Sequence, residues 1–92
     1  KMEVTYIGAT WCATCKTIKP KVEELCKKFS VVLKVLDYDD DLDDTAQAEI
    51  TKVPTLRITL DGAHVATYNQ NQVASLEKCL QTNVKLTSAD DF

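Results

Sequence analysis

Ninety-two residues bound this chain to one small domain with a single core, and 45% hydrophobic residues with only two glycines and two prolines favour folding over disorder. A net charge of −3 and an isoelectric point near 5.0 argue against nucleic acid or an anionic membrane surface as a partner. No apolar run approaches the ~20 residues that span a bilayer, no signal peptide is visible, and Lys1 ahead of Met2 reads as an addition before a natural start.

Residues 2–7 are β-prone and read as a buried strand. They lead into Trp11-Cys12-Ala13-Thr14-Cys15-Lys16, where two cysteines stand at the start of a helically patterned segment. At a helix start, unpaired N–H groups and the positive end of the dipole favour a thiolate on Cys12. Cys15 lies one turn along, within disulfide reach and more deeply buried. This spacing suits thiol-disulfide exchange, with Cys12 as an exposed attacking nucleophile and Cys15 as the resolving thiol. A stabilised thiolate acts mainly as a better leaving group, so Ala13 and Thr14 should tune reduction potential more than speed. Zinc would need two further ligands at matching spacing, whereas Cys26, His64 and Cys79 are scattered singly. No metal is therefore expected. A structural disulfide is the other alternative, and one meaningful pair among four cysteines fits an intracellular thiol protein better than a secreted one.

Ile18, Val22, Leu25, Cys26 and Phe29 recur at helical spacing and predict a helix over 13–29, kinked at Pro20. Cys26 lies on its apolar stripe and reads as a small core residue. Residues 31–36 form the clearest strand, and strand-helix-strand implies parallel pairing with a right-handed crossover. The acidic cluster Asp37–Asp44 lacks the glycine and glutamate of a calcium loop, since counting from Asp39 those positions hold Asp44 and Ile50. It reads as a solvated loop entering a short helix over 43–50, capped by Asp43 or Asp44. Thr51-Lys52-Val53-Pro54 precedes a strand over 55–60, and Asp61-Gly62 turns the chain into a return strand over 63–68 that carries a solvated His64. Val73, Leu76 and Leu80 predict a last helix over 71–83, with Cys79 able to approach Cys26, and residues 87–92 as a frayed acidic tail.

The order β-α-β-α-β-β-α with Trp11-Cys12-x-x-Cys15-Lys16 resembles the thioredoxin family over about residues 3–83. Pro20, Val53-Pro54-Thr55 and Asp61-Gly62 match that family's kinked helix, cis-proline loop and hairpin. The resemblance implies an α/β thioredoxin fold with a four-stranded mixed sheet flanked by three helices, in a single domain over 1–92 that lacks the leading β-α unit. It implies that Pro54 and the backbone of Val53 receive an extended substrate opposite the cysteines, with Trp11 as a flanking contact and Lys16 beside them. It also implies a monomeric cytoplasmic enzyme with no bound cofactor, reducing proteins such as ribonucleotide reductase or peroxidases and recharged by an NADPH-dependent thioredoxin reductase.

The departures are specific. Ala13-Thr14 replaces the Gly-Pro of thioredoxin and the Pro-Tyr of glutaredoxin. The family's buried aspartate falls on Tyr6 and its lysine on Val35, so water or the Tyr6 hydroxyl takes over proton handling, or resolution is slower. A docking glycine falls on Gln70, and Tyr68-Asn69-Gln70-Asn71 replaces glutaredoxin's Gly-Gly, although Lys16 and Arg57 still offer charge. A glutathione-dependent reductase, a non-catalytic binding module and a disulfide-introducing oxidant are the alternative readings.

Overall fold

The computed structural model describes the backbone of residues 1–89 and the side chains of residues 1–82. Its elements run β1 (Met2–Gly8), α1 (Ala13–Lys28), β2 (Val32–Asp37), α2 (Asp44–Glu49), β3 (Thr55–Leu60), β4 (Ala63–Asn69), a 3₁₀ turn (Gln70–Gln72) and α3 (Val73–Ala89). The sheet order is β2-β1-β3-β4, with β1 parallel to β2 and antiparallel to β3, and β3 antiparallel to β4. This is the α/β arrangement expected from the sequence, a four-stranded mixed sheet with three helices.

Alternation along the central strands decides which side chains enter the core. Met2, Val4 and Tyr6 share one face of β1, and their register partners Leu60, Ile58 and Leu56 carry it across β3. Ile18, Val22 and Cys26 of α1 and Leu76 and Leu80 of α3 close over this face. Val4, Val22, Leu56, Ile58, Leu76 and Leu80 are each 0% exposed, and a fully buried aliphatic side chain contributes ~1.5–3 kcal/mol. On the opposite face, Arg57 pairs with Glu49 of α2 at 3.7 Å, an exposed contact that water and salt screen.

The hairpin turns through Asp61 (φ 53°) and Gly62 (φ 86°), both left-handed, the conformation that Asp-Gly adopts at a two-residue turn. Among the described residues β2 is an edge strand, with Val32 and Val35 44% and 45% exposed. Two expectations change. The last helix neither starts at 71 nor ends at 83. A 3₁₀ turn capped by Asn69 precedes it, and with no glycine or proline to stop it the helix continues through Ala89. Residues 87–89, expected to fray, are therefore helical, and the rest of that tail, 90–92, lies outside the described residues.

The acidic stretch is the solvated loop expected, with its own carboxylates ordering the backbone. Asp37 Oδ2 accepts the N–H groups of Asp39 and Asp40 at 3.0 and 2.9 Å, and Asp41 Oδ2 accepts that of Asp37 at 2.7 Å. Asp43 caps α2 by accepting the Ala46 N–H at 2.8 Å. No described helix is long and apolar enough to cross a membrane.

Candidate active site

β1 ends at Gly8, and the chain turns through Ala9–Trp11 to reach Cys12, which is the N-cap of α1. Its extended backbone (φ −95°, ψ 109°) lets its own sulfur cap the helix, accepting the Cys15 N–H at 3.2 Å. A helix N-cap normally uses the oxygen of Ser, Thr, Asp or Asn, so a sulfur there receives the donors that stabilise an anion. The thiol donates to the Val53 carbonyl at 3.7 Å. Val53–Pro54 is a cis peptide bond, and Pro54 is fully buried.

The two cysteines differ less in exposure than expected. Cys12 is 9% exposed and Cys15 3%, so the attacking sulfur anticipated as exposed is largely covered, because the Val53 carbonyl stands against it. Burial raises the Cys15 thiol above the ordinary range, as does its interaction with Cys12, while the Ala9 backbone and the Tyr6 hydroxyl act in the opposite direction. Ala13, Thr14 and Lys16 are exposed on the first turn, and Lys16 borders an open cleft beside Cys15.

Trp11 is 64% exposed yet not loose. Its indole N–H donates to Asp39 Oδ2 at 2.7 Å, and its ring meets Tyr38 edge-on at 6.4 Å. Tyr38 in turn donates from its hydroxyl to the Gln47 carbonyl at 3.3 Å. The acidic loop therefore holds the tryptophan, a role that no local motif announces because the partners are 28 residues apart. Tyr6, which the resemblance sets in place of the family's buried aspartate, donates its hydroxyl to the Cys15 carbonyl at 3.1 Å. Gly8, two residues on in the strand, is the local mark of that close approach.

The remaining candidates lie away from this site. His64 Nε2 sits 2.7 Å from Thr67 Oγ1 on the exposed hairpin. Cys26 is a core residue at 3% exposure, and burial pushes its thiol up to about 11. Cys79 is partly buried and neighbours Tyr68, whose hydroxyl is raised by burial first and then by Cys79.

The family model described as Thioredoxin matches residues 2–82. The chain is 37% identical over 78 residues to mouse (Mus musculus) thioredoxin, an alignment covering 84% of this chain and 74% of that one. The reduced thioredoxin pre-protein of Schistosoma mansoni superposes with a TM-score of 0.77 at 31% identity, covering 89% of this chain and 78% of that one. A structure describing how a yeast mitochondrial 1-Cys peroxiredoxin is resolved via glutathione/thioredoxin systems also matches, with a TM-score of 0.78 at 25% identity, covering 89% of this chain and 78% of that one.

Proposed function

Because the chain belongs to the thioredoxin family, and is a thiol-disulfide oxidoreductase of that type, we propose that Cys12 attacks the substrate disulfide and Cys15 resolves the product. The observation that carries this assignment is the position of Cys12, whose sulfur caps α1 while facing the Val53 carbonyl. Attack by the Cys12 thiolate forms a mixed disulfide and releases one substrate thiolate. Cys15 then attacks the Cys12 sulfur, the second substrate thiolate leaves with the electron pair, and a Cys12–Cys15 bond remains. Two electrons pass from the dithiol to the substrate.

The substrates in this reading are disulfide-bearing proteins, laid in extended form against Val53 and Pro54 with Trp11 as a flanking contact. Peroxidases of the peroxiredoxin kind are one class, ribonucleotide reductase another, and an NADPH-dependent thioredoxin reductase restores the dithiol. Ala13, Thr14 and Lys16 tune the potential. The enzyme works as a monomeric single domain in the cytoplasm, where a reducing poise keeps such thiols ready. A glutathione-dependent role is the weaker reading, since Tyr68-Asn69-Gln70-Asn71 stands where glutaredoxin carries its Gly-Gly segment.

Trapping separates the roles. Cys15→Ser should accumulate a mixed disulfide with an oxidised protein substrate, detected by mass spectrometry on the peptide bearing Cys12. Accumulation of that adduct on another cysteine would overturn the assignment.

A further inference from the structure

The space beside Cys15 is shaped by a pair of residues on one strand. Tyr6 and Gly8 lie on the same face of β1, two residues apart. A Cβ added to Gly8 would stand 2.5 Å from the Tyr6 hydroxyl oxygen and 2.7 Å from its Cε1, inside van der Waals contact. The phenol ring therefore lies over the glycine and points along the strand toward the cysteines. Its hydroxyl, on a residue 3% exposed, ends at the Cys15 carbonyl.

We propose that the Tyr6 hydroxyl is the hydrogen-bond donor that stabilises the Cys15 thiolate during resolution, and that Gly8 admits it to that position. The Cys15 sulfur is also within reach of this hydroxyl, each group acting on the other's proton through a side-chain hydrogen bond, so rotation about the phenol C–O bond re-aims the proton from oxygen to sulfur. Before attack, the Cys15 S–H bond breaks and its proton leaves to solvent through the cleft of about 500 Å³ that Tyr6, Gly8 and Cys15 border. The thiolate then forms the S–S bond to Cys12 and expels the substrate thiolate, which takes up a proton from solvent. Tyr6 keeps its proton throughout, because burial raises its hydroxyl far above neutral pH. The phenol thus acts as a neutral donor, not a base, and it already offsets part of the effect that burial has on Cys15. The other charged groups lining this space are Lys16 and Lys19 of α1, Asp37 of β2 and Asp41 of the loop beyond it, while the N-cap Cys12 and Glu23 of α1 act on the Tyr6 hydroxyl electrostatically.

This inference rests on Cys15 being the resolving thiol, and the test separates the two. The reduced protein is mixed with an aromatic disulfide whose thiolate absorbs visible light. The first equivalent released reports attack by Cys12 and the second reports resolution by Cys15. A wild-type protein that releases only the first equivalent sinks the resolving role itself. With both phases present, Tyr6→Phe keeps the ring over Gly8 and removes only the donor. The second phase should slow about tenfold at neutral pH and its rise with pH should move up by about one unit, while the first phase stays within about twofold. Gly8→Ala, which keeps the phenol but fills the space that it occupies, should slow the same phase. In a Cys12→Ser background, alkylation of Cys15 should need a higher pH once Tyr6 is Phe. An unshifted second phase in Tyr6→Phe, equal slowing of both phases, or unchanged alkylation would overturn the proposal.

Discussion

Helix α1 carries a cysteine near each end, and the two ends treat the same side chain in opposite ways. At the first turn, the Cys12 sulfur receives a backbone N–H and stands beside a carbonyl on a second loop. In the last turn, Cys26 is surrounded by core hydrocarbon and is 3% exposed, with burial alone pushing its thiol up to about 11. The termini themselves differ too. The N-terminus is capped by the reactive side chain, whereas the C-terminus closes through backbone, with the Ser30 N–H bonded to the Lys27 carbonyl at 3.3 Å and that of Val31 to the Cys26 carbonyl at 2.8 Å. The chemistry of a thiol here follows from whether its sulfur meets donors or hydrocarbon.

The largest break in that comparison is Cys12→Ser. A serine hydroxyl still caps the helix but is not ionised at neutral pH, so disulfide reduction should fall by at least about 10³-fold with little loss of stability. Cys26→Ala should keep activity within about twofold per folded molecule. Both are read with an oxidised protein substrate. Comparable losses in the two variants would place redox chemistry at both ends of the helix.

Stability at alkaline pH sharpens the contrast. Cys26 ionises near pH ~8.5 in the unfolded chain and near 11 when folded, so the unfolded state loses its proton first. Stability is therefore fully present below pH ~8.5 and declines as pH rises toward 11, by roughly 3–3.5 kcal/mol at the limit. Cys15 adds in the same direction, and Tyr6 joins only above its unfolded value of ~10. Cys26→Ala should be less stable than wild type at pH 7 by about 1 kcal/mol, yet lose less between pH 8 and 10. Urea midpoints at several pH values measure this, and parallel declines would refute it.

How far these ends could be read in the amino-acid order depends on distance along the chain. Cys12, Cys15, Pro54 and Asp61-Gly62 announce themselves because each signal is contiguous or a few residues long. The contacts that complete the site join residues 9, 28 and 41 positions apart: Tyr6 to Cys15, Trp11 to Asp39, and Cys12 to Val53. Beyond Gly8 beside Tyr6 nothing local encodes those pairs, and only the family resemblance set Val53 opposite the cysteines. The acidic run reads as a solvated loop but not as an ordered one, because its carboxylates find partners in loop backbone, geometry that composition does not reveal. The exposure of Val32 and Val35 follows from β2 being an edge, which depends on which strands exist to cover it.

The C-terminal end of α1, expected at 29 and found at Lys28, stops without the usual glycine. The Ser30 and Val31 bonds form the pattern in which a helix usually ends on a left-handed glycine, but the residue in that conformation is Ser30, at φ 56°. A side chain in this region costs ~1–2 kcal/mol, and glycine removes that cost while giving back ~0.5–1 kcal/mol as extra freedom of the unfolded chain. Ser30→Gly should therefore stabilise the fold by about 0.5–1 kcal/mol and raise Tm by roughly 2–6 °C. Disulfide reduction should not change, since Ser30 sits at the far end of the helix from Cys12. Calorimetry checks the first expectation and the reduction assay the second. A lower Tm would mean that the Ser30 side chain contributes more than its backbone strain costs.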